Sequence, residues 1–134
     1  MKKKSVILIA LAIIVLAKPL KAQYVLKEAD TQFQLFNFEK AVQLYTEAYQ
    51  KKNTFYAAEK LAECYRLMRN FNQAASWYAI ALSKDASKPE LFRHYADMLR
   101  NTGKYSEAKE QYTKYGELLK SADPAQLIQI ANWK

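Results

Sequence analysis

The chain has 134 residues, of which 51% are hydrophobic and 25% charged, with only 2 Gly and 3 Pro. This length suits a single domain, the apolar fraction excludes a wholly disordered chain, and the scarcity of turn-forming residues argues against a β-sandwich or barrel. The formal net charge is +8, but residues 1–22 hold five Lys and no acid, which leaves 16 basic and 13 acidic residues in the other 112. The composition therefore predicts long helices, with most of the positive charge near the start.

Residues 1–22 have the pattern of a secretory signal peptide. Three Lys at positions 2–4 precede Val6–Ala17, an unbroken run of twelve apolar residues, and the small residue Ala22 precedes Gln23. An uncleaved anchor is the alternative, but a helix needs about 20 apolar residues to cross the hydrocarbon core. We therefore expect export and a mature chain that begins at Gln23. A lipid anchor is not expected, because no Cys lies near position 20.

The rest of the chain repeats itself at intervals of 33 and 34 residues. Three segments begin with an aromatic residue, followed by Ala three positions later and Tyr four positions after that: Phe38–Ala41–Tyr45, Phe71–Ala74–Tyr78 and Tyr105–Ala108–Tyr112. Another Ala lies twelve residues before each of these alanines, at positions 29, 62 and 96. A period near 34 with such small and aromatic positions is typical of tetratricopeptide repeats. Residues 24 to about 120 thus resemble three of these repeats in tandem.

The repeat pattern predicts an all-α fold, with three helix-turn-helix repeats and a C-terminal capping helix forming an α-solenoid. Alanines on paired helices allow close approach, and the aromatic residues should fill the wedge between consecutive hairpins. We expect repeats at about 23–53, 54–87 and 88–121, and the capping helix at about 123–133. The predicted helices span about 24–36, 38–51, 54–68, 71–83, 89–101, 105–120 and 124–132.

Helix-capping residues agree with this frame. Asn70 and Ser87 are each followed three residues later by Gln or Glu, the spacing of a capping box. Gly103 is placed to end a helix in the left-handed conformation. Gln32 stands where later repeats have Tyr or Leu, which is expected of a terminal repeat that caps the stack.

Cys64 is the only cysteine, so no disulfide can form within the chain. A lone Cys on a helix is usually a small buried hydrophobic residue. We expect this role for Cys64, and pairing between two chains is the alternative.

Signals for catalysis or metal binding are weak. His94 is the single His and shares a predicted helix face with Glu90 and Asp97, which we interpret as a solvated, locally paired surface; a weakly bound divalent ion is the alternative. Glu59 and Glu63 are likewise interpreted as a surface, not an acid–base pair. The sequence shows no Gly-rich phosphate loop and no Ser–His–Asp order. We predict no enzyme activity, no cofactor and no metal.

Nucleic-acid binding is a further alternative that the sequence does not favour. Single-strand binders combine basic tracks with stacking aromatic residues, and this chain has ten Tyr. Most of these Tyr occupy repeat positions, however, and the basic residues are interspersed with acids. We therefore predict no nucleic-acid partner.

Protein binding is the function that the resemblance implies. In tetratricopeptide proteins the first helices of the repeats line a concave groove that receives a peptide or helix of another protein. The groove positions implied for this chain are Leu26, Asp30, Phe33, Glu59, Glu63, Arg66, Arg93, Asp97 and Arg100. The alternative is that these charges only keep the stack soluble.

The three arginines of this set, Arg66, Arg93 and Arg100, are expected to be exposed polar anchors whose removal spares stability. Phe33 would add an apolar anchor at one end. The Lys/Asn clamp by which chaperone-binding members of the family seize a carboxylate is not met, because the corresponding positions are acids. That activity is therefore not implied here.

A second resemblance concerns cellular context. Tyr24–Asp30, Phe38–Ala41 and Leu61–Arg66 resemble the N-terminal repeat region of large exported envelope proteins that continue into a β-propeller and a peptidoglycan-binding OmpA-like domain. This implies a periplasmic or envelope scaffold, associated with outer-membrane or cell-wall complexes, with secretion as the alternative. Neither later domain occurs in the 134 residues. A truncated or purely structural repeat remnant is accordingly the alternative to a dedicated binding module.

Overall fold

The computed structural model describes Lys3, residues 22–125, Leu127 and Ile128. The predicted signal peptide, apart from Lys3 and Ala22, and the last part of the predicted capping helix, including Trp133, lie outside these residues. No strand occurs in the described part, and none of its helices is long and apolar enough to span a membrane. The helices are α1, residues 22–34; α2, Phe38–Lys51; α3, Phe55–Leu67; α4, Phe71–Lys84; α5, Pro89–Asn101; and α6, Tyr105–Ser121. Residues 124–125 and 127–128 are also helical, where the capping helix was predicted to begin.

The chain divides into two compact units between Asn53 and Thr54, which is the predicted boundary between repeats one and two. Unit one contains α1 and α2. Unit two contains α3 to α6, in which α3 pairs with α4, α5 pairs with α6, and α4 packs against α5. Unit two therefore consists of two consecutive helical hairpins.

The repeat alanines are buried, as predicted. A side chain of one carbon lets two helix backbones approach closely, so larger residues at these positions would separate the helices. Their exposures are 0% for Ala29, Ala41, Ala62, Ala74 and Ala96 and 3% for Ala108.

The repeat aromatic residues follow the prediction in the first two repeats but not fully in the third. Tyr45 and Tyr78 are 0% exposed, and Tyr78 stacks on His94 of the next hairpin with ring centroids 5.9 Å apart. Tyr105, in contrast, is 70% exposed, so its predicted burial is wrong. The reason is positional, because α5 covers the corresponding face of α4, whereas no further hairpin follows α6 among the described residues.

The predicted cap of α4 is confirmed, and a second cap was missed. The Asn70 side chain accepts a hydrogen bond of 3.3 Å from the Gln73 N–H. Thr54 does the same for the Ala57 N–H at 3.3 Å, at the start of α3. Both side chains satisfy a backbone donor that lacks a partner inside the helix.

The predicted cap at Ser87 is wrong. The residue before α5 is Lys88, whose side chain makes no capping hydrogen bond, and Pro89 is the first helical residue. The Ser87 N–H instead donates to Asp85 Oδ1 at 2.9 Å. Asp85 thus turns the chain before the helix, and the fixed φ of Pro89 starts it.

Each first helix ends on a residue with positive φ: Phe36 at 59°, Arg69 at 61° and Gly103 at 80°. In all three hairpins the next N–H donates at 2.9 Å to the carbonyl five residues before it. This arrangement closes the last helical turn. Only the third position was predicted, because Gly marks the left-handed conformation in a sequence and Phe or Arg does not.

Two substitutions of glycine should shift stability in opposite directions. No atom lies within 4 Å of an added Cβ at Gly103 or Gly116, so backbone conformation decides both cases. Gly103→Ala should lower the free energy of unfolding by about 1 kcal/mol, because φ is positive there. Gly116→Ala, inside α6, should raise it by up to about 1 kcal/mol. Chemical denaturation measures both, and equal shifts would contradict the left-handed end of α5.

Cys64 is buried, with 0% exposure. Burial raises the pKa of its thiol to about 12. The expected role as a small buried hydrophobic residue is confirmed, and in the folded unit the thiol is not at the surface where pairing between chains would occur.

Candidate functional site

In unit one the predicted site residues lie on one helix face. Leu26, Asp30 and Phe33 have the spacing that places side chains on one side of α1, and all three are half-buried. Asp30 Oδ1 accepts a hydrogen bond of 2.6 Å from the Tyr45 hydroxyl of α2. Phe33 packs edge-on against Phe38, with ring centroids 5.6 Å apart. The structure therefore brings these three predicted residues together.

A tyrosine–carboxylate hydrogen bond recurs in the three hairpins. In each, the hydroxyl of the repeat Tyr donates to an acid fifteen residues earlier: Tyr45 to Asp30, Tyr78 to Glu63, and Tyr112 to Asp97. Each bond joins the first helix of a hairpin to its second. The three acids were predicted as groove residues, but each uses one carboxylate oxygen inside its own hairpin. Their constant spacing to Tyr carried this signal, whereas the sequence analysis assigned the Tyr to apolar packing alone.

Glu63 has the shortest ion pair on α3. Arg66 Nη2 donates to Glu63 Oε2 at 2.6 Å, and Tyr78 donates to Oε1. The Arg66 and Glu63 side chains are only 30% and 15% exposed. Burial raises the pKa of Glu63, but the hydrogen bonds from Arg66 and Tyr78 outweigh it, so this pKa lies below its usual value. The prediction that Arg66 is an exposed anchor, removable without loss of stability, is therefore wrong.

Glu59 is also buried, with 8% exposure, so the predicted surface of Glu59 and Glu63 is wrong. Its carboxylate accepts hydrogen bonds of 2.8 and 3.0 Å from Lys88 Nζ. Because Lys88 directly precedes α5, this pair connects α3 to the start of the next hairpin. A buried carboxylate requires such a partner, and here the partner lies 29 residues away in the sequence.

Two arginines share one carboxylate on α5. Arg93 Nη1 lies 3.6 Å from Asp97 Oδ2, and Arg100 Nη2 lies 3.5 Å from Asp97 Oδ1. Asp97 Oδ1 accepts its hydrogen bond from Tyr112 instead, at 2.5 Å. The Arg93 and Arg100 side chains are 38% and 57% exposed. Both guanidinium groups thus keep most of their N–H donors available, unlike Arg66.

The first turn of α5 contains a second buried acid. Glu90 is 6% exposed, and its Oε2 has no hydrogen-bond partner among the described residues. Arg93 Nε lies 3.7 Å away, which is too long for a hydrogen bond. Burial raises the pKa of Glu90, and the positive charge of Arg93 only partly offsets this. The predicted solvated face of Glu90, His94 and Asp97 is therefore wrong for Glu90, although the predicted local pairing, through Arg93, is confirmed.

His94 lies among charges from two helices. Burial lowers the pKa of His94 to about 4, with Glu63 opposing this shift and Arg66 and Arg93 adding to it. The imidazole is therefore neutral at pH 7. Among the described residues no group of three His, Cys, Asp or Glu side chains is arranged to hold a metal ion.

The neutral state of His94 makes stability sensitive to mild acid. An unfolded His has a pKa near 6.5, so as pH falls the unfolded chain takes up this proton first, and stability is lost between about pH 6.5 and 4. We expect a loss of about 1–2 kcal/mol between pH 7 and 5. His94→Phe keeps a ring against Tyr78 and should flatten this dependence. Thermal melts of both proteins at the two pH values test it, and parallel slopes would contradict it.

No protein-family model matches the sequence, and no curated protein matches it. Solved structures do. The chain is similar to MamA (AMB-1), with a TM-score of 0.70 and 21% identity over 78% of this chain, and it spans 63% of the MamA chain. It is similar to the type III secretion chaperone SycD of Yersinia enterocolitica in complex with a peptide of the translocator YopD, with a TM-score of 0.71, 19% identity and coverage of 81% of this chain and 82% of SycD.

A third similar structure is PcrH in complex with the chaperone binding region of PopB, with a TM-score of 0.70, 17% identity and coverage of 83% of this chain and 90% of PcrH. At these identities the likeness concerns the fold. MamA, SycD and PcrH are helical-repeat proteins of the tetratricopeptide type. The predicted all-α repeat fold is therefore confirmed: the chain has the fold of the TPR-like α-solenoids.

Proposed function

We propose that this protein is a protein–protein interaction module that binds a carboxylate-bearing peptide segment of a partner on the first helices of its repeats. In unit two this first-helix face consists of α3 and α5, which the Glu59–Lys88 pair connects. The observation that carries the proposal is the arrangement of Arg93 and Arg100 around Asp97. Two exposed guanidinium groups share one carboxylate at 3.5–3.6 Å without a hydrogen bond to it.

Such arginines suit the recognition of an acidic segment. A guanidinium group presents N–H donors in a planar fork that matches a carboxylate, and Arg is among the residues that contribute most to binding energy at interfaces. The shared Asp97 holds the two side chains near each other, which lowers the entropy lost on binding. In unit one, Leu26 and Phe33 would supply apolar contacts to the same kind of partner. The peptides present in the SycD and PcrH structures agree with this proposal for a similar fold.

The proposal is tested with a paired variant and a matched control. Envelope extract of the native host is passed over immobilised wild-type protein, over Arg93→Ala/Arg100→Ala and over Lys40→Ala, which removes an exposed cation of α2. A partner captured by the wild type and the control should bind the double variant at least tenfold more weakly, a loss of about 1.4 kcal/mol. Circular dichroism establishes that the double variant remains helical. Equal capture by all three proteins, or no saturable partner at all, would instead support the structural-remnant alternative.

We also propose that the module acts outside the cytoplasm, in the periplasm or in association with outer-membrane or cell-wall complexes. The support is the lysine-led apolar run that ends at Ala17 and the small residue Ala22 before Gln23. N-terminal sequencing of protein isolated from its native host should give a chain that begins at Gln23. Retention of the lysines at positions 2–4 would contradict export by cleavage of a signal peptide.

A further inference from the structure

A pocket of about 400 Å³ opens beside the last described hairpin, between the end of α5 and the first half of α6. It is lined by Arg100, Tyr105, Ala108, Lys109, Tyr112 and Thr113. Except for Arg100, none of these residues belongs to the groove positions implied by the sequence. We refer to these six residues as the edge pocket.

The edge pocket corresponds to a surface that a helix covers in the preceding repeat. Tyr105, Ala108 and Tyr112 lie 34 residues after Phe71, Ala74 and Tyr78. In that repeat α5 packs against α4, Tyr78 is 0% exposed, and Phe71 packs against the buried cluster. In the edge pocket the equivalent Tyr105 is 70% exposed. The pocket therefore has the framework of a helix-docking surface without a described helix on it.

The chemistry of the edge pocket differs from that of the covered surface in one respect. Lys109 takes the place of Ala75, which is only 8% exposed, and Thr113 takes the place of Ala79. Lys109 has no ion-pair partner among the described residues, and the nearby Arg100 side chain is 57% exposed. A docked helix would lie over Lys109, and desolvating an ammonium group is costly unless a carboxylate pairs with it. The missing component is thus an acidic side chain on an otherwise apolar helix face.

We propose that the edge pocket binds an amphipathic helix of a partner protein, with apolar side chains against Tyr105, Ala108 and Tyr112 and an acidic side chain paired with Lys109 and Arg100. The chain's own residues after Asp123 do not meet this requirement, because they contain neither Asp nor Glu. In addition, Leu127 and Ile128 are 42% and 62% exposed. This binding mode is separate from the first-helix face, with which it shares only Arg100.

A synthetic helical peptide tests the proposal with the full chain. The fluorescein-labelled probe carries Leu at positions one helical turn apart and two Glu beside that row, and a second probe carries Lys in place of Glu. Fluorescence anisotropy should show saturable binding of the Glu probe to the wild type. Lys109→Glu should weaken this binding at least tenfold and improve binding of the Lys probe. Tyr105→Ala should weaken both probes, because it removes apolar contact.

Two controls separate this site from general electrostatics and from the first-helix face. Lys120→Glu makes the same charge change at an exposed position of α6 and should leave binding of the Glu probe within twofold of the wild type. Arg93→Ala should also leave it unchanged, so that failure here and failure of the first-helix proposal are distinguishable. Equal weakening by Lys109→Glu and Lys120→Glu would overturn the proposal, as would a wild type that does not bind the Glu probe.

Two further results would assign the pocket to other occupants and so overturn the proposal. If Leu127→Asp combined with Ile128→Asp increases the affinity for the Glu probe more than tenfold, the chain's own C-terminal segment occupies the pocket. If the wild type sediments as a dimer and Lys109→Glu as a monomer, a second copy occupies it. A monomeric wild type and an unchanged Leu127/Ile128 variant support a partner helix.

Discussion

Replacing Arg66 by Ala is expected to lower the free energy of unfolding by about 2–3 kcal/mol. The substitution removes the cation that hydrogen-bonds the Glu63 carboxylate at 2.6 Å, while Glu63 is only 15% exposed. A carboxylate in that position without a cation loses the interaction that offsets its desolvation. The hydrogen bond from Tyr78 remains and limits the loss. Urea denaturation at pH 7 measures the effect.

Arg100→Ala provides the matched control, because Arg100 lies at the equivalent position 34 residues later. Its side chain is 57% exposed and lies 3.5 Å from Asp97. Exposed ion pairs contribute little to stability, so we expect a change of about 0.5 kcal/mol or less. Equal losses in the two variants would show that the Glu63 network does not stabilise unit two as the geometry indicates.

The Arg66 effect should also depend on pH. The folded-state pKa of Glu63 lies below its usual value, so the stabilisation is present above about pH 4.3, the pKa of an unfolded Glu, and is lost as pH falls through the folded-state value. Arg66→Ala removes a group that lowers this pKa. The difference in stability between wild type and variant should therefore shrink in acid. A constant difference from pH 7 down to pH 3 would assign the loss to packing of the Arg66 stem.

Ala74→Leu is expected to destabilise unit two by about 1–3 kcal/mol through overpacking. Ala74 and Ala62 are both 0% exposed and belong to one buried cluster in the α3–α4 hairpin. Three additional carbons at this position must separate the helices or force neighbouring side chains out of their preferred rotamers. Thermal and chemical denaturation followed by circular dichroism measure the loss.

The equivalent substitution in the next hairpin, Ala108→Leu, should cost less, about 1 kcal/mol or below. Ala108 is 3% exposed but lines the edge pocket of about 400 Å³, into which a longer side chain can extend. The same substitution should weaken binding of the Glu probe, because it fills that space. An unchanged midpoint for Ala74→Leu, or a larger loss for Ala108→Leu, would contradict the packing described for α4 and α6.

The charged residues show where interpretation of the sequence was incomplete. Glu59, Glu63 and Arg66 form a pattern that on an exposed helix would indicate a solvated surface. In the structure Glu59 is compensated by Lys88, 29 residues away, and Glu63 by Tyr78, fifteen residues away. Neither partner can be identified from local spacing alone. The recurring acid–Tyr interval of the repeats does, however, identify the second.

The sequence by itself determined the helices and their order, because these depend on local periodicity. Phe38–Lys51 and Pro89–Asn101 have their predicted bounds, and the repeat alanines are buried as the 33- and 34-residue interval requires. Only the tertiary structure decided which of the repeated residues are covered. Tyr78 and Tyr105 are both aromatic residues of a second helix, yet one is 0% and the other 70% exposed. Their exposure depends on whether another helix packs against them, and so does the requirement of each buried charge for a partner.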